Sequence, residues 1–346
     1  MNKFLLIPFL FIAEITFAQQ SYYNDVDLTL TGQDLYFELQ NKIDINNTTF
    51  TYGDIRDVVK ITDEDPSNNS NVLLIYGYDD SDGNCTTDRS RNKDDFGGGN
   101  CEYNREHTFP RSLANPPMPN NGNNTVGIGA DPHNLRPSDV QANGNRGNKK
   151  FITGSGNAGS VSGAWYPGDE WKGDVARIMM YMYTRYGDRC LPSLVGNGAT
   201  QGSTDMLELF LQWNVDDPVS DLEDQRNPHL ENIYGNRNPF IDNPVLATII
   251  WGGPQAEDRW GLLSFQDFSA NAINVYPNPT SEKIWVQSTT AFQAESYVLF
   301  DLMGRKVLEQ TATEENFINM SGFKSGMYLL QVISSEKRIT KKIIVE

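Results

Sequence analysis

A carboxylate and an imidazole stand side by side at Glu106 and His107, inside the stretch NREHTFPRS, Asn104 to Ser112. A second histidine and a run of side-chain amides follow in Asp131 to Asn148: His133, Asn134, Asn143, Asn145 and Asn148. A base, a metal-binding oxygen and several amides in one short stretch suit metal-assisted hydrolysis of a phosphodiester. That reaction needs a nucleophilic water, charge stabilisation at phosphorus and a proton for the leaving oxygen. A neutral imidazole, with an ordinary pKa of about 6.5, takes the water's proton near neutrality. Successive residues of an extended strand point to opposite sides. Glu106 and His107 therefore serve one site only if the strand twists or ends there. Asn143 offers a neutral amide oxygen to a hard cation. One carboxylate, one amide and several waters form a shell suited to Mg²⁺, with Ca²⁺ or Mn²⁺ as alternatives.

Arg111 and Arg146 have two equal readings: stabilising the pentacovalent phosphate, or holding a hairpin by a salt bridge. His133, in a DPHNL turn, is given a supporting role that holds the loop. Arg105, Asn134, Lys149 and Arg237 are the candidate substrate contacts. Arg237 sits in GNRNPFIDNP, where Asn236 to Asn238 either meet phosphate or only tie a loop. His229 is read as incidental.

The elements that must position these groups follow from periodicity and punctuation. A helix starts after Thr31 and carries Leu35, Leu39 and Ile43; a second, from near Thr51, carries Ile55, Val58 and Val59. Val72 to Tyr76 is a strand, and Asp79 to Gly99 a loop. Tyr103 to Phe109 forms the first strand of a hairpin, Asp131 to Leu135 the returning strand or its turn. Pro137 to Asn145 is a short helix, broken at Gly144 and Gly147. Trp171 to Tyr186 is a helix with Val175, Ile178, Met179, Met182 and Tyr186 on its apolar face, and another spans Asp205 to Trp213. Pro228 interrupts a helical stretch after Asp217, or caps a new one.

Residues 1–18 read as a secretory leader: Lys3, then an apolar run, then Thr16-Phe17-Ala18. Nothing later is long and apolar enough to span a bilayer, so the mature chain is expected to carry no membrane span. Export makes the three cysteines legible. Cys85 and Cys101 flank a Gly- and Asp-rich loop and are the first choice for a disulfide. Cys190 is left as a buried thiol or one seeking another partner. The formal net charge of −17 is unevenly spread. Cys101 to Lys150 carries six basic and four acidic residues, so the candidate site is locally positive within an acidic chain.

Together these motifs resemble the endonuclease I family, within the His-Asn finger (ββα-metal) nucleases, over roughly residues 30–260. The resemblance implies an α+β fold, with a β-hairpin and short helix holding one divalent metal among mainly helical surroundings. It assigns Glu106 and Asn143 as metal ligands and His107 as general base. It further implies endonucleolytic cleavage of DNA, or RNA, with little sequence preference and 5′-phosphate products. After Trp260 the composition changes. YPNP at Tyr276, the D-x-x-G-R-K turn at Asp301 to Lys306, G-x-Y at Gly326 to Tyr328 and the terminal KKIIVE resemble the C-terminal sorting domain of type IX secretion. It is expected to be a small all-β sandwich read by the secretion machinery. The expected organisation is leader 1–18, catalytic domain 19–265, linker 266–272 and sorting domain 273–346, in a secreted or cell-surface monomer. A zinc hydrolase is disfavoured, because the three histidines are far apart and no H-E-x-x-H occurs. A non-catalytic surface or glycan-binding protein is the alternative.

Overall fold

The computed structural model describes residues 21–263, 273–288, 294–301, 304–313, 316–334 and 338–346. The expected leader and linker lie outside them. The chain divides into two compact units, one ending at Trp260 and the other starting at Gly261. No helix among the described residues is long and apolar enough to cross a membrane.

The first unit opens with α1 (Gly32–Asp44), which buries Leu35, Leu39 and Ile43 as their spacing requires. Next, α2 (Ile55–Thr62) buries Ile55, Val58 and Val59. Strands β1 (Glu64–Asp65), β2 (Asn68–Leu73) and β3 (Ser90–Asn92) form an antiparallel sheet. The expected loop over residues 79–99 thus contains one short strand. The Cys85–Cys101 disulfide forms as expected, and Cys190 is a buried free thiol.

Strands β4 (Tyr103–His107) and β5 (Leu135–Asp139) pair antiparallel, with Glu106 opposite Arg136 and His107 opposite Leu135. Of the two readings for Asp131 to Leu135, the turn is the one observed, with the returning strand starting at Leu135. Asp131 makes the turn, its carboxylate accepting the His133 N–H at 2.9 Å. Pro137, expected in the helix, is a strand residue whose carbonyl takes the Ile75 N–H at 2.9 Å. Helix α3 (Val140–Arg146) starts instead where the Asp139 carboxylate caps the Gln141 and Ala142 N–H groups. It runs through Gly144 and stops at Gly147, whose φ of +55° favours glycine.

A small hairpin, β6 (Gly159–Val161) and β7 (Ala164–Tyr166), precedes α4 (Lys172–Tyr186). Helix α4 is buried on every side from Gly173 to Arg185, not along one face. Around it lie α5 (Pro192–Val195), α6 (Glu208–Asp216), α7 (Asp221–Tyr234), α8 (Pro239–Asp242) and α9 (Val245–Trp251). Helix α7 continues through Pro228. A Ser220/Glu223 capping box starts it, and Gly235, at φ +101°, ends it. Pro228 removes one backbone N–H, while buried Arg226 and Asn227 beside it bind neighbouring segments and hold the helix.

The second unit contains β8 (Ile273–Tyr276), β9 (Lys283–Ser288), β10 (Ser296–Asp301), β11 (Lys306–Thr311), β12 (Phe317–Asn319), β13 (Gly326–Ile333) and β14 (Arg338–Val345). They form two sheets, ordered β11-β10-β13-β14 and β12-β9-β8. One apolar core joins them, with Ile284 and Val286 from one sheet meeting Leu299, Leu330 and Ile343 from the other.

Candidate active site

His107 is the last residue of β4, so the strand ends where two neighbouring side chains must share a site. Both Glu106 and His107 line a cleft of about 700 Å³, together with Tyr52, Arg105, Arg111 and Asn143. Glu106 is 3 % exposed. Its Oε1 accepts the Tyr76 hydroxyl and the Arg146 guanidinium, each at 3.0 Å. Its Oε2 accepts no hydrogen bond among the described residues. Burial pushes the Glu106 carboxyl up to about 7, opposed by Arg146 and the Tyr76 hydroxyl.

The His107 Nε2 lies 2.9 Å from the Gly129 carbonyl. A carbonyl only accepts, so that nitrogen carries the hydrogen and Nδ1 keeps its lone pair. The Tyr52 ring stacks on the imidazole at 5.2 Å, and the Arg105 guanidinium lies 3.7 Å from the Tyr52 ring centre. Burial, reinforced by nearby arginines, pushes His107 down to about 4, so its ring is neutral across the physiological range.

Asn143 projects from α3. Its Nδ2 donates to Asn104 Oδ1 at 2.6 Å and to the Arg105 carbonyl at 3.4 Å. Both neighbours are acceptors, which fixes the amide's orientation and leaves Oδ1 uncommitted. The residues lining the cleft thus carry one carboxylate oxygen, one amide oxygen and one imidazole nitrogen without hydrogen-bond partners among the described residues. Among the described residues no cluster of three His, Cys, Asp or Glu is arranged to hold a metal. A hard cation here would rest on Glu106 and Asn143, its other positions filled by water or substrate oxygens.

The remaining candidates divide sharply. Arg111 lines the cleft, half-buried, with one guanidinium nitrogen 2.6 Å from Asn120 Oδ1. Arg105 also lines it and donates to the Tyr52 carbonyl. Arg146, by contrast, is wholly buried; its two terminal nitrogens donate to Glu106, the His107 carbonyl (3.1 Å) and the Thr108 carbonyl (2.7 Å), while its Nε has no partner among the described residues. It positions Glu106 and is not among the residues that line the cleft, so of its two readings the structure shows the salt bridge that holds the hairpin, not the phosphate contact.

His133 keeps the loop-holding role expected of it, while three of the candidate substrate contacts, Asn134, Arg237 and Lys149, are not among the residues that line the cleft. His133 is 2 % exposed, 3.0 Å from Asn236 Oδ1 and 4.3 Å from the Tyr181 ring; it holds the loop and takes no place in the cleft. Asn134 is buried and bonds both ways with the Phe109 backbone, at 2.7 and 3.1 Å, bracing the segment beyond His107. Arg237 is buried in ion pairs with Asp242 and Glu231, so it has no free donor set for phosphate. Lys149 bonds the Asn145 carbonyl and lines a second cavity instead. Sequence reasoning missed Tyr52 and Tyr76, which lie far upstream and carry no spacing signal. Asn104 was quoted within the NREH motif, but its role in orienting Asn143 was not.

Comparison with known proteins identifies the family of each unit. The Endonuclease I family matches residues 31–245, and the secretion system C-terminal sorting domain matches residues 274–346. The extracellular ribonuclease of Bacillus subtilis (strain 168) is 39% identical over 236 residues, covering 64% of this chain and 75% of that protein. The extracellular ribonuclease of Bacillus amyloliquefaciens is 39% identical over 223 residues, covering 61% and 72%. The periplasmic deoxyribonuclease of Aeromonas hydrophila is 27% identical over 123 residues, covering 32% and 47%. With most of its length matched and an unspent base beside two unspent oxygens, the chain belongs to the Endonuclease I family and ends in a secretion sorting domain.

Proposed function

We propose that this chain is a secreted, divalent-metal-dependent endonuclease that hydrolyses RNA and DNA with little sequence preference, leaving 5′-phosphate ends. The observation that carries this reading is that Glu106, Asn143 and His107 line one cleft, each with a side-chain atom (Oε2, Oδ1 and Nδ1) that has no hydrogen-bond partner among the described residues. The succession β4, β5, α3, with Glu106 and His107 on the first strand and Asn143 on the helix, supports a His-Asn finger.

In this mechanism His107 Nδ1 takes a proton from the attacking water while Gly129 holds the ring through Nε2. Tyr52 fixes the plane of that ring. Arg111 places its guanidinium beside the phosphate, where negative charge grows as the water attacks. Glu106 and Asn143 would hold a Mg²⁺ ion, which would supply charge stabilisation at the phosphate and acid assistance to the leaving oxygen. Rupture of the bond to the 3′ oxygen leaves the phosphate on the 5′ end. Arginines and amides that address phosphate read no base, consistent with low sequence preference. RNA is included because the two Bacillus relatives are named ribonucleases, and DNA because the Aeromonas relative is named a deoxyribonuclease. Export uses the leader at 1–18 and the sorting domain.

Plasmid nicking and RNA degradation by the mature chain test this directly. Arms with Mg²⁺, Mn²⁺, Ca²⁺ and EDTA, each beside His107→Ala, should show cleavage that needs metal and His107. Folded, Mg²⁺-supplied protein that cleaves neither polymer would instead favour a non-catalytic binding protein.

A further inference from the structure

A second cavity, of about 410 Å³, lies along α3. Asn143 lines the active cleft, while its neighbours Ala142, Gly144 and Asn145 line this cavity. The two spaces are therefore separated by one short helix. Tyr76 links them chemically: its ring lines the cavity and its hydroxyl donates to Glu106. Its φ of +76° is rare for an aromatic residue and marks a backbone held in place by its surroundings.

Several groups here are unspent. Tyr78 is half-buried and lines the cavity, yet among the described residues its side chain makes no hydrogen bond or ring contact. Trp165, also lining it, is 5 % exposed and its buried indole N–H has no acceptor among the described residues. A buried donor left unpaired is costly. Lys149 brings a positive charge 5.9 Å from the Trp165 ring centre. A Cβ added to Gly144 or Gly159, both on the cavity wall, would meet nothing within 4 Å.

We propose that this cavity is a nucleotide subsite, resting on the nuclease reading above. It takes the base of a nucleotide flanking the scissile phosphate, stacked on Tyr78, with Lys149 near that nucleotide's phosphate. The volume suits a group of that size. A free aromatic and a cation lining one cavity, as Tyr78 and Lys149 do, are the combination that binds single-stranded nucleic acid without reading sequence, since every base has a π-face. A strand seated in the active cleft reaches the cavity by passing one short helix.

The test uses the mature chain and oligonucleotides of whichever polymer it cleaves. Each has one cleavable phosphodiester among phosphorothioates and one abasic position, walked along both sides of that bond. In the wild type, one abasic position should raise KM about tenfold. Tyr78→Ala should raise KM for the intact oligonucleotide by a similar factor and erase the abasic penalty. Tyr78→Phe should restore both. Gly159→Leu, filling the cavity from β6, should behave like Tyr78→Ala. Folded, active variants with the wild-type KM and abasic profile would overturn the subsite alone. A wild type that cleaves neither polymer would overturn the nuclease reading and the subsite with it.

Discussion

The active cleft and the ionic cluster around Arg136 use the same residue types to opposite ends. In the cluster, Arg136 bridges Asp63 and Asp174, Arg177 pairs with Glu223 at 2.6 Å, and Arg226 pairs with Asp63. Arg226 also donates to the Leu135 carbonyl at 2.8 Å. Every carboxylate there meets a guanidinium, and no member is more than 3 % exposed at its side chain. In the cleft, Glu106 is as deeply buried, yet only one of its oxygens is spent. Burial alone does not mark function in this protein. What distinguishes the cleft is acceptor capacity left open: one carboxylate oxygen, one amide oxygen and one imidazole nitrogen accept nothing among the described residues, whereas the unpaired group in the cluster is a donor, one guanidinium nitrogen of Arg136. The ion-paired cluster fixes β5 against α4 and α7, while the open acceptors belong to residues that line the cleft.

The largest effect expected from this contrast falls on the cleft. His107→Ala should lower kcat by about 10²–10⁴-fold, the usual worth of a positioned base, with unfolding little altered. Single-turnover cleavage beside a thermal melt checks it; a loss below about tenfold would put His107 with the scaffold. The converse holds for the cluster. Arg226→Met leaves part of Asp63 buried without its partner and should cost about 3–5 kcal/mol in urea unfolding. Activity at low temperature should survive, and a variant equally stable but inactive would break the comparison.

A smaller loss is expected for Cys85→Ser combined with Cys101→Ser. Releasing a loop with a sequence separation of 16 should cost about 3 kcal/mol, measured by the shift in the urea midpoint. The gentlest test is pH. Burial pushes Glu106 up to about 7, so below that value a proton competes with the cation for its carboxylate. His107, pushed down to about 4, stays neutral well below that. At limiting Mg²⁺ the rate should therefore fall as pH drops through about 7. Saturating Mg²⁺ should move that acid limb toward about 4. An acid limb indifferent to Mg²⁺ concentration would show that Glu106 does not exchange a proton for the ion.

Much of the site was legible because its chemistry is local in sequence. Glu106 and His107 are adjacent, and Asn143 follows on the helix directly after the returning strand. The apolar spacing of Leu35, Leu39 and Ile43, or of Ile55, Val58 and Val59, stated the helices whose buried faces they became. The second unit's strands and the Cys85–Cys101 pair were legible for the same reason: alternation and short loops act over a few residues. Less local features misled. Pro137 and Gly144 suggested helix boundaries, but the Asp139 cap and the pairing with β4 placed the helix later.

Sequence by itself therefore determined which groups were available for chemistry, which segments were helices or strands, and where the chain changes character near residue 261. Only the tertiary structure decided which arginine faces the cleft. Arg111 and Arg146 are the same residue type, each a few positions from a candidate site residue, and nothing local separates them. Arg146 is enclosed because Glu106 and two backbone carbonyls, at His107 and Thr108, need its donors. Arg111 remains at the cleft, hydrogen-bonded to the Asn120 side chain and 5.9 Å from the Tyr52 ring centre. Tyr52 and Tyr76 reach the site from distant segments for a related reason. Hydrogen-bond satisfaction is a property of the folded neighbourhood, and no spacing along the chain encodes which donors will already be spent.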